Sequence, residues 1–375
     1  MLVSDLPSPV VVIDRRRLLA NIDRVQTLAD SAGVTLRPHA KTHKSPAVAR
    51  WQIERGARGI CCAKLGEAEV FAEAGIDDIR LPYPVHPSNA PRVLALLERA
   101  AISIIVDHLG IAGEWSRVME RAGRKLDVLV KVDVGFHRCG IDPAGADALD
   151  FVRAVASMPG LRLRGLLSHA GHGYLAASEE ELRSVAEAEI RMLCGLRDKA
   201  TRSGIGIDEL SVGATPTLRF TAASARDHRL TELRPGNYVY FDRTQVALGS
   251  ALLDDCALTV AATVVSRPAP DRIILDCGSK TLTSDGARGF SPTPGYGAVL
   301  TPDGAAVDTT LIIDRLSEEH ATVRVAGATR LEPGDRVRVL PNHSCVVVNM
   351  VDNVILVEGD RIIDTLSVAA RGKIT

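Results

Sequence analysis

The sequence predicts a (β/α)8 barrel of the TIM type, with a mostly β domain after it, on three observations. Between residues 35 and 233, eight strand-like runs recur with helical segments filling most of the gaps, the pattern of a closed parallel sheet. After about residue 245 the helical pattern stops, and short apolar runs separated by turn signals take over. Over 375 residues, 46% hydrophobic and 24% charged content is enough for one large core or two domains of an ordinary soluble globular protein.

Pro7 and Pro9 introduce a first strand at 10–13, and Leu18, Leu19, Ile22, Val25 and Leu28 then recur at helical spacing. Barrel strands are expected near 35–38, 59–63, 78–82, 102–106, 126–134, 161–169, 209–213 and 231–233. Helices are expected at 45–55, 66–74, 90–100, 111–122, 144–158, 179–203 and 217–225. Past the barrel, 257–267, 271–277, 321–326, 336–340, 344–349 and 354–357 read as strands. Turns fall at Pro270-Asp271, Pro302-Asp303-Gly304, Glu332-Pro-Gly-Asp335 and Glu358-Gly-Asp360. The expected division is a strand within 1–14 that joins the β domain, a barrel over 15–245 and a β domain over 246–375.

A net charge of −1 gives no electrostatic case for nucleic acid or an anionic membrane. No apolar run of about 18 residues occurs, and the amino terminus lacks a signal-peptide profile, so a cytoplasmic protein is expected. The seven cysteines are odd in number and form no spaced framework, which favours reduced thiols.

The chemistry centres on Arg37-Pro-His-Ala-Lys-Thr-His-Lys44, at the carboxyl end of the first barrel strand. An amine attacks an aldehyde only when unprotonated, and Lys41 is crowded by Arg37, His39, His43 and Lys44, whose charge lowers its proton affinity. A Schiff-base lysine fits, and so does a solvated basic loop or phosphate clamp. In Lys131-Val-Asp-Val-Gly-Phe-His-Arg138, Gly135 follows the strand and Arg138 offers a rigid guanidinium to an anionic oxygen. Ser168-His-Ala-Gly-His-Gly-Tyr174 delivers His169, His172 and Tyr174, groups able to relay protons near neutral pH. His169 alone fits a satisfied core histidine equally well.

Ser211-Val-Gly-Ala-Thr-Pro-Thr217 and Arg234-Pro-Gly-Asn-Tyr-Val-Tyr240 each allow close approach of backbone N–H groups to a phosphate, although glycine–proline turns are common without one. In Pro341-Asn-His-Ser-Cys345, His343 and Cys345 would share one face of an extended strand and could reach one divalent ion, or simply pack. Thiolate with imidazole suits zinc better than manganese or magnesium.

Together these motifs closely resemble the D-serine dehydratase and D-threonine aldolase family of fold-type III pyridoxal-phosphate enzymes, whose barrel alanine racemases share. The resemblance runs from about Pro7 to the carboxyl terminus and implies a homodimer. By it Lys41 is the Schiff-base lysine and Arg138 a contact of the cofactor's phenolic oxygen. Gly213, Thr215, Gly236, Asn237 and Tyr238 match the phosphate-binding stretches, with His169 and Tyr174 as further cofactor contacts. Tyr240 fits the position where racemases set a tyrosine on the phosphate, and His343 with Cys345 matches the metal pair. The implied reaction is lyase chemistry on a β-hydroxy D-amino acid such as D-serine, D-threonine or D-threo-3-hydroxyaspartate. It is either dehydration to a 2-oxo acid and ammonia, with Lys41 removing the α-proton, or retro-aldol cleavage to glycine and an aldehyde, with His172 as base. A racemase would need two bases and no metal. The cysteine in the metal pair tilts the reading toward dehydration, since the threonine aldolases carry aspartate there.

Overall fold

The computed structural model describes residues 1–290, 292 and 294–375. The chain opens with β1 (Val10–Asp14), and the Asp14 side chain caps the helix Arg15–Ala32 by accepting from the Arg17 N–H at 3.0 Å. That helix buries Leu18, Ile22, Val25 and Ala29 along one face and ends at Gly33, whose φ of 71° suits a residue without Cβ.

Eight strands follow: β2 (Thr35–Leu36), β3 (Ile60–Cys61), β4 (Asp78–Pro84), β5 (Ala101–Val106), β6 (Leu126–Lys131), β7 (Leu161–Leu167), β8 (Glu209–Val212) and β9 (Glu232–Leu233). They pair in parallel in the order β2-β9-β8-β7-β6-β5-β4-β3. A bridge between His39 and Cys61, with the Cys61 N–H donating to Pro38 O at 2.8 Å, joins the two ends and closes the barrel. Each expected strand and helix of the barrel is present, with small shifts at the ends. The runs at 126–134 and 161–169 leave the ladder earlier than their apolar pattern suggests, at Lys131 and Leu167, because their last residues turn into loops above the barrel.

The remaining strands are β10 (Leu258–Ala269), β11 (Arg272–Leu275), β12 (Ala298–Leu300), β13 (Val307–Leu316), β14 (Ala321–Val325), β15 (Arg336–Leu340), β16 (Asn353–Glu358) and β17 (Arg361–Ser367). Their order is β11-β14-β13-β12-β15-β10-β1-β16-β17, and β10 also pairs with β11, so that six strands form a ring. β1 lies in this sheet, antiparallel to β10 and parallel to β16.

Three of these strands, β12, β13 and β17, are not among those read from the sequence. β17 is largely exposed and β13 interleaves Asp and Thr with its apolar residues, so neither shows a clear apolar run. The segment 344–349, expected as a strand, is a short helix, Ser344–Asn349. Its β-branched run favours a strand, but the buried Asp242 carboxylate accepts from the Ser344 N–H at 3.0 Å and holds the first turn, while Val347 and Val348 bury themselves completely.

Inside the barrel, below the strand ends, lies a buried ionic network. Arg37 donates to Asp78 at 2.6 Å and to Glu232 at 2.7 Å. Arg80 pairs with Glu209 at 2.6 Å and also with Glu232, which in addition accepts from Ser211 Oγ at 2.5 Å. Burial alone would raise the Glu232 carboxyl, but Arg80 and Arg37 outweigh it and hold it at about 2.

Replacing Glu232 by Gln leaves two buried guanidiniums undercompensated, and the expected loss is about 3–5 kcal/mol of unfolding free energy in urea titrations. A depressed carboxylate stabilises fully above its unfolded pKa and ceases to do so as pH falls toward its folded one. The stability gap between the wild type and the Glu232→Gln variant is therefore expected to narrow between about pH 4.5 and pH 2.

Candidate active site

At the end of β2 the chain turns through Pro38 and His39 into a single 3-10 turn, Ala40–Thr42, and the His39 imidazole caps it by accepting from the Lys41 N–H at 3.4 Å. The turn points Lys41 into a cleft between the barrel's strand ends and the β domain. Burial lowers the proton affinity of the Lys41 amine; Cys345 opposes this, and the positive charges of Arg138 and Arg234 add to it. His39 and His169 are held well below the usual histidine range, first by burial and then by Lys41, so both imidazoles are neutral. His169 Nδ1–H donates to Gly213 O at 3.0 Å, leaving Nε2 as the acceptor.

The far end of the cleft is built to hold an anion. Backbone N–H groups of Ala214, Thr215, Gly236 and Asn237 have no acceptor among the described residues, a costly state for buried donors unless a ligand completes them. Gly213 has φ of 141°, and a Cβ there would stand 2.9 Å from the Arg234 backbone nitrogen; at Gly236 it would meet Thr42 Oγ1 at 3.0 Å. The Tyr174 hydroxyl lies against Thr215 and Gln245, and burial raises its pKa, so it remains a donor. Arg234 donates to Ser211 Oγ at 2.6 Å and to Ser168 O, which fixes its guanidinium in the cleft wall.

His343 and Cys345 line the same cleft, with Cys345 Sγ 3.6 Å from Asn237 Nδ2. They are not alternate residues of a strand, as expected, but the cap and second residue of the Ser344–Asn349 helix, and they still converge, with Ser344 turned away to Asp242. His343 Nδ1 meets Asp285 Oδ2 at 2.6 Å. Burial would depress the imidazole, but Cys345, Asp242 and Asp285 push it up to about 10, and His343 in turn outweighs burial to lower the thiol. Thiolate and imidazole are donors that suit a borderline-soft divalent ion, and the carboxylate on Nδ1 is the usual support for a ligating histidine. Among the described residues no three His, Cys, Asp or Glu side chains form a metal cluster. An ion held by this pair would complete its shell with water or substrate.

Not every residue singled out from the sequence faces the cleft. The Tyr238 hydroxyl accepts from Gln52 Nε2 at 3.0 Å, away from the anion cradle, and only its backbone N–H reaches Thr215, at 3.3 Å. Tyr240 is wholly buried among core residues of the β domain, and the hydroxyl at the cradle is that of Tyr174. His172 packs on Phe136 with ring centroids 6.4 Å apart, outside the cleft lining. Arg138 lies over the same Phe136 ring, 5.2 Å from its centroid. The sequence reading gave no role to Arg234, Asp242, Thr244, Asp285 or Arg288, all of which line the cleft. Arg234 heads a stretch singled out for its backbone, and Asp285-Gly286 is a turn pair; the others carry no local signal.

Residues 13–244 match the family described as "Alanine racemase, N-terminal domain", and residues 257–357 match "Putative serine dehydratase domain". D-threonine aldolase from Arthrobacter sp is 35% identical over 97% of this chain and 93% of its own. D-threo-3-hydroxyaspartate dehydratase from Delftia sp. strain HT23 is 35% identical over 91% of each. The chain belongs to the D-serine dehydratase and D-threonine aldolase family. It is thus a pyridoxal-phosphate-dependent lyase of fold type III. The solved Delftia dehydratase superposes with a TM-score of 0.90 at 32% identity, covering 98% of both chains, and a cysteine-to-alanine variant of that enzyme is recorded in a metal-free form.

The family's cofactor fits what the cleft offers: a neutral-prone amine at one end and unpaired N–H donors shaped by two glycines at the other. Gly213→Ala places a Cβ against the Arg234 backbone in a strained conformation. It is expected to weaken binding of added pyridoxal phosphate at least tenfold, as followed by the cofactor's absorbance, while far-ultraviolet circular dichroism stays that of the wild type.

Proposed function

We propose that the protein is a pyridoxal-phosphate- and metal-dependent dehydratase of β-hydroxy D-amino acids that releases a 2-oxo acid and ammonia. The reading rests on one juxtaposition: the Lys41 amine, its proton affinity lowered, opens into the same cleft as the His343–Cys345 pair.

Bound pyridoxal phosphate supplies an electron sink for the bond broken at or beside Cα. Lys41 would hold the cofactor through its carbonyl carbon, and its amine, with lowered proton affinity, would serve as the base for the substrate's α-proton. The N–H groups of Ala214, Thr215, Gly236 and Asn237, with Tyr174, would hold the phosphate. The neutral imidazoles of His39 and His169 line the cleft without adding positive charge beside Lys41. His343 and Cys345 would hold a divalent ion, zinc preferred to manganese or magnesium, which would supply Lewis acidity toward the substrate hydroxyl. Asp285 engages Nδ1 of His343, which leaves Nε2 as the nitrogen that would ligate an ion once its proton is displaced.

Dehydration is favoured over cleavage by the placement of the bases. Lys41, the base elimination needs, lies in the cleft, while His172, the candidate base for cleavage, packs outside it. The second reading, retro-aldol cleavage to glycine and an aldehyde, is supported by the 35% identity to the Arthrobacter D-threonine aldolase. We also propose a cytoplasmic homodimer, on the family's pattern and on seven cysteines that are all free. Among the described residues no helix is long and apolar enough to cross a membrane.

Product analysis of the zinc-loaded holoenzyme with D-threonine separates the two reactions, with L-threonine as control. Ammonia and 2-oxobutanoate are the expected products, and glycine with acetaldehyde would replace dehydration by the second reading. Lys41→Ala is expected to abolish both the visible absorption of the bound cofactor and turnover; a retained wild-type spectrum would remove Lys41 from the reading. His343→Ala is expected to keep that absorption and lose metal with most of the turnover. Asp285→Asn should weaken metal affinity about 10- to 100-fold in competition with a chelating indicator.

A further inference from the structure

Thr42 follows Lys41 in the reactive turn and is wholly buried. A buried threonine hydroxyl on a helical turn can bond back to a carbonyl three or four residues earlier. That of Thr42 does not: its one partner among the described residues is Cys345 Sγ, 3.3 Å away and 303 residues further along the chain. Room for the contact comes from Gly236, where a Cβ would stand 3.0 Å from Thr42 Oγ1.

This bond has a single direction when Cys345 ligates an ion. A ligating sulfur is a thiolate and carries no hydrogen, so the hydroxyl donates. Thr42 is also the donor best placed to do so. Asn237 Nδ2 stands 3.6 Å from the sulfur, and its two hydrogens have nearer acceptors in Asp242 Oδ2 at 2.6 Å and Ser344 Oγ at 3.1 Å. A thiolate without a donor keeps its charge unbalanced in a buried setting and is held less firmly in one rotamer. We propose that Thr42 is a positioning residue of the metal pair: its hydroxyl donates to the Cys345 sulfur and fixes that ligand in the cleft, so that the residue beside Lys41 also sets the pair's affinity for its ion. The inference rests on the reading of His343 and Cys345 as metal ligands and adds to it a residue from the barrel.

The test compares wild-type holoenzyme with Thr42→Val, which removes the hydroxyl and keeps the shape, and with Thr42→Ser, which keeps the hydroxyl. Thr42→Ala, which lacks the hydroxyl without placing a methyl group against the sulfur, is carried in parallel. Zinc affinity is read by titrating metal-stripped protein against a chelating indicator. The state of the sulfur is read from the near-ultraviolet sulfur-to-metal charge-transfer band of the cobalt(II)-loaded protein. Both hydroxyl-free variants are expected to bind zinc about tenfold more weakly. Their cobalt band is expected at longer wavelength, because a sulfur that has lost its hydrogen bond gives up electron density more easily. Thr42→Ser is expected to match the wild type in both measurements. Unchanged zinc affinity and cobalt band in Thr42→Val and Thr42→Ala would overturn the proposal. So would a Thr42→Ser variant as weak as they are, since packing and not the hydrogen bond would then be at work. A wild type that shows no sulfur-to-cobalt band would remove Cys345 from the metal ligands and the proposal with it, a failure that the wild type alone tells apart from the other two.

Discussion

Glu232 is gripped inside the barrel by Arg37 and Arg80 at once, and much of the site depends on that arrangement. Arg37 begins the segment that carries Lys41, so its bonds to Glu232 and Asp78 set where the reactive turn leaves β2. Ser211 donates to Glu232 and accepts from Arg234, which carries the network up the barrel to the cleft wall. Buried ion pairs seldom raise net stability over a well-packed apolar core, but once formed they tolerate few alternatives, because each displaced partner leaves a buried charge uncompensated. The network therefore serves as a positional reference for β2, β4, β8 and β9.

A second constraint joins the two sheets. The Asp242 carboxylate accepts from Asn237 in the anion cradle and from Ser344 in the turn that presents His343 and Cys345. Cys345 Sγ in turn lies 3.3 Å from Thr42 Oγ1, beside Lys41. Three segments distant in sequence are thus held to a common geometry, which the proposed function requires of Lys41 and the His343–Cys345 pair. β1 adds a covalent link of the same kind, since it lies in the sheet of the β domain and leads directly into the first helix packed on the barrel.

Much of the barrel was legible in the sequence because parallel strands buried on both faces read as apolar runs, and the intervening helices show their own period. The chemistry-bearing motifs were legible because each is local: Lys41, His169, Thr215 and Asn237 all stand on short stretches that follow a strand end. Tyr238 and Tyr240 show where this fails. Sequence places both beside the cradle, but one hydroxyl turns to Gln52 and the other ring enters the β-domain core, while Tyr174 from another loop supplies the hydroxyl. The direction of a side chain depends on what is packed against it, and a motif does not carry that information.

The sequence by itself determined the order of strands and helices in the barrel, the place of Lys41 after its first strand, the glycines of the two later stretches and the family to which these belong, since each is set by local spacing or backbone permission. Tertiary structure alone decided that residues 344–349 form a helix, that His172 stays outside the cleft, and that Asp242, Asp285 and Arg288 come into it. These outcomes depend on hydrogen bonds and charges contributed by segments up to about a hundred residues away, as with Asp242 and Ser344, and no local preference of the chain records them.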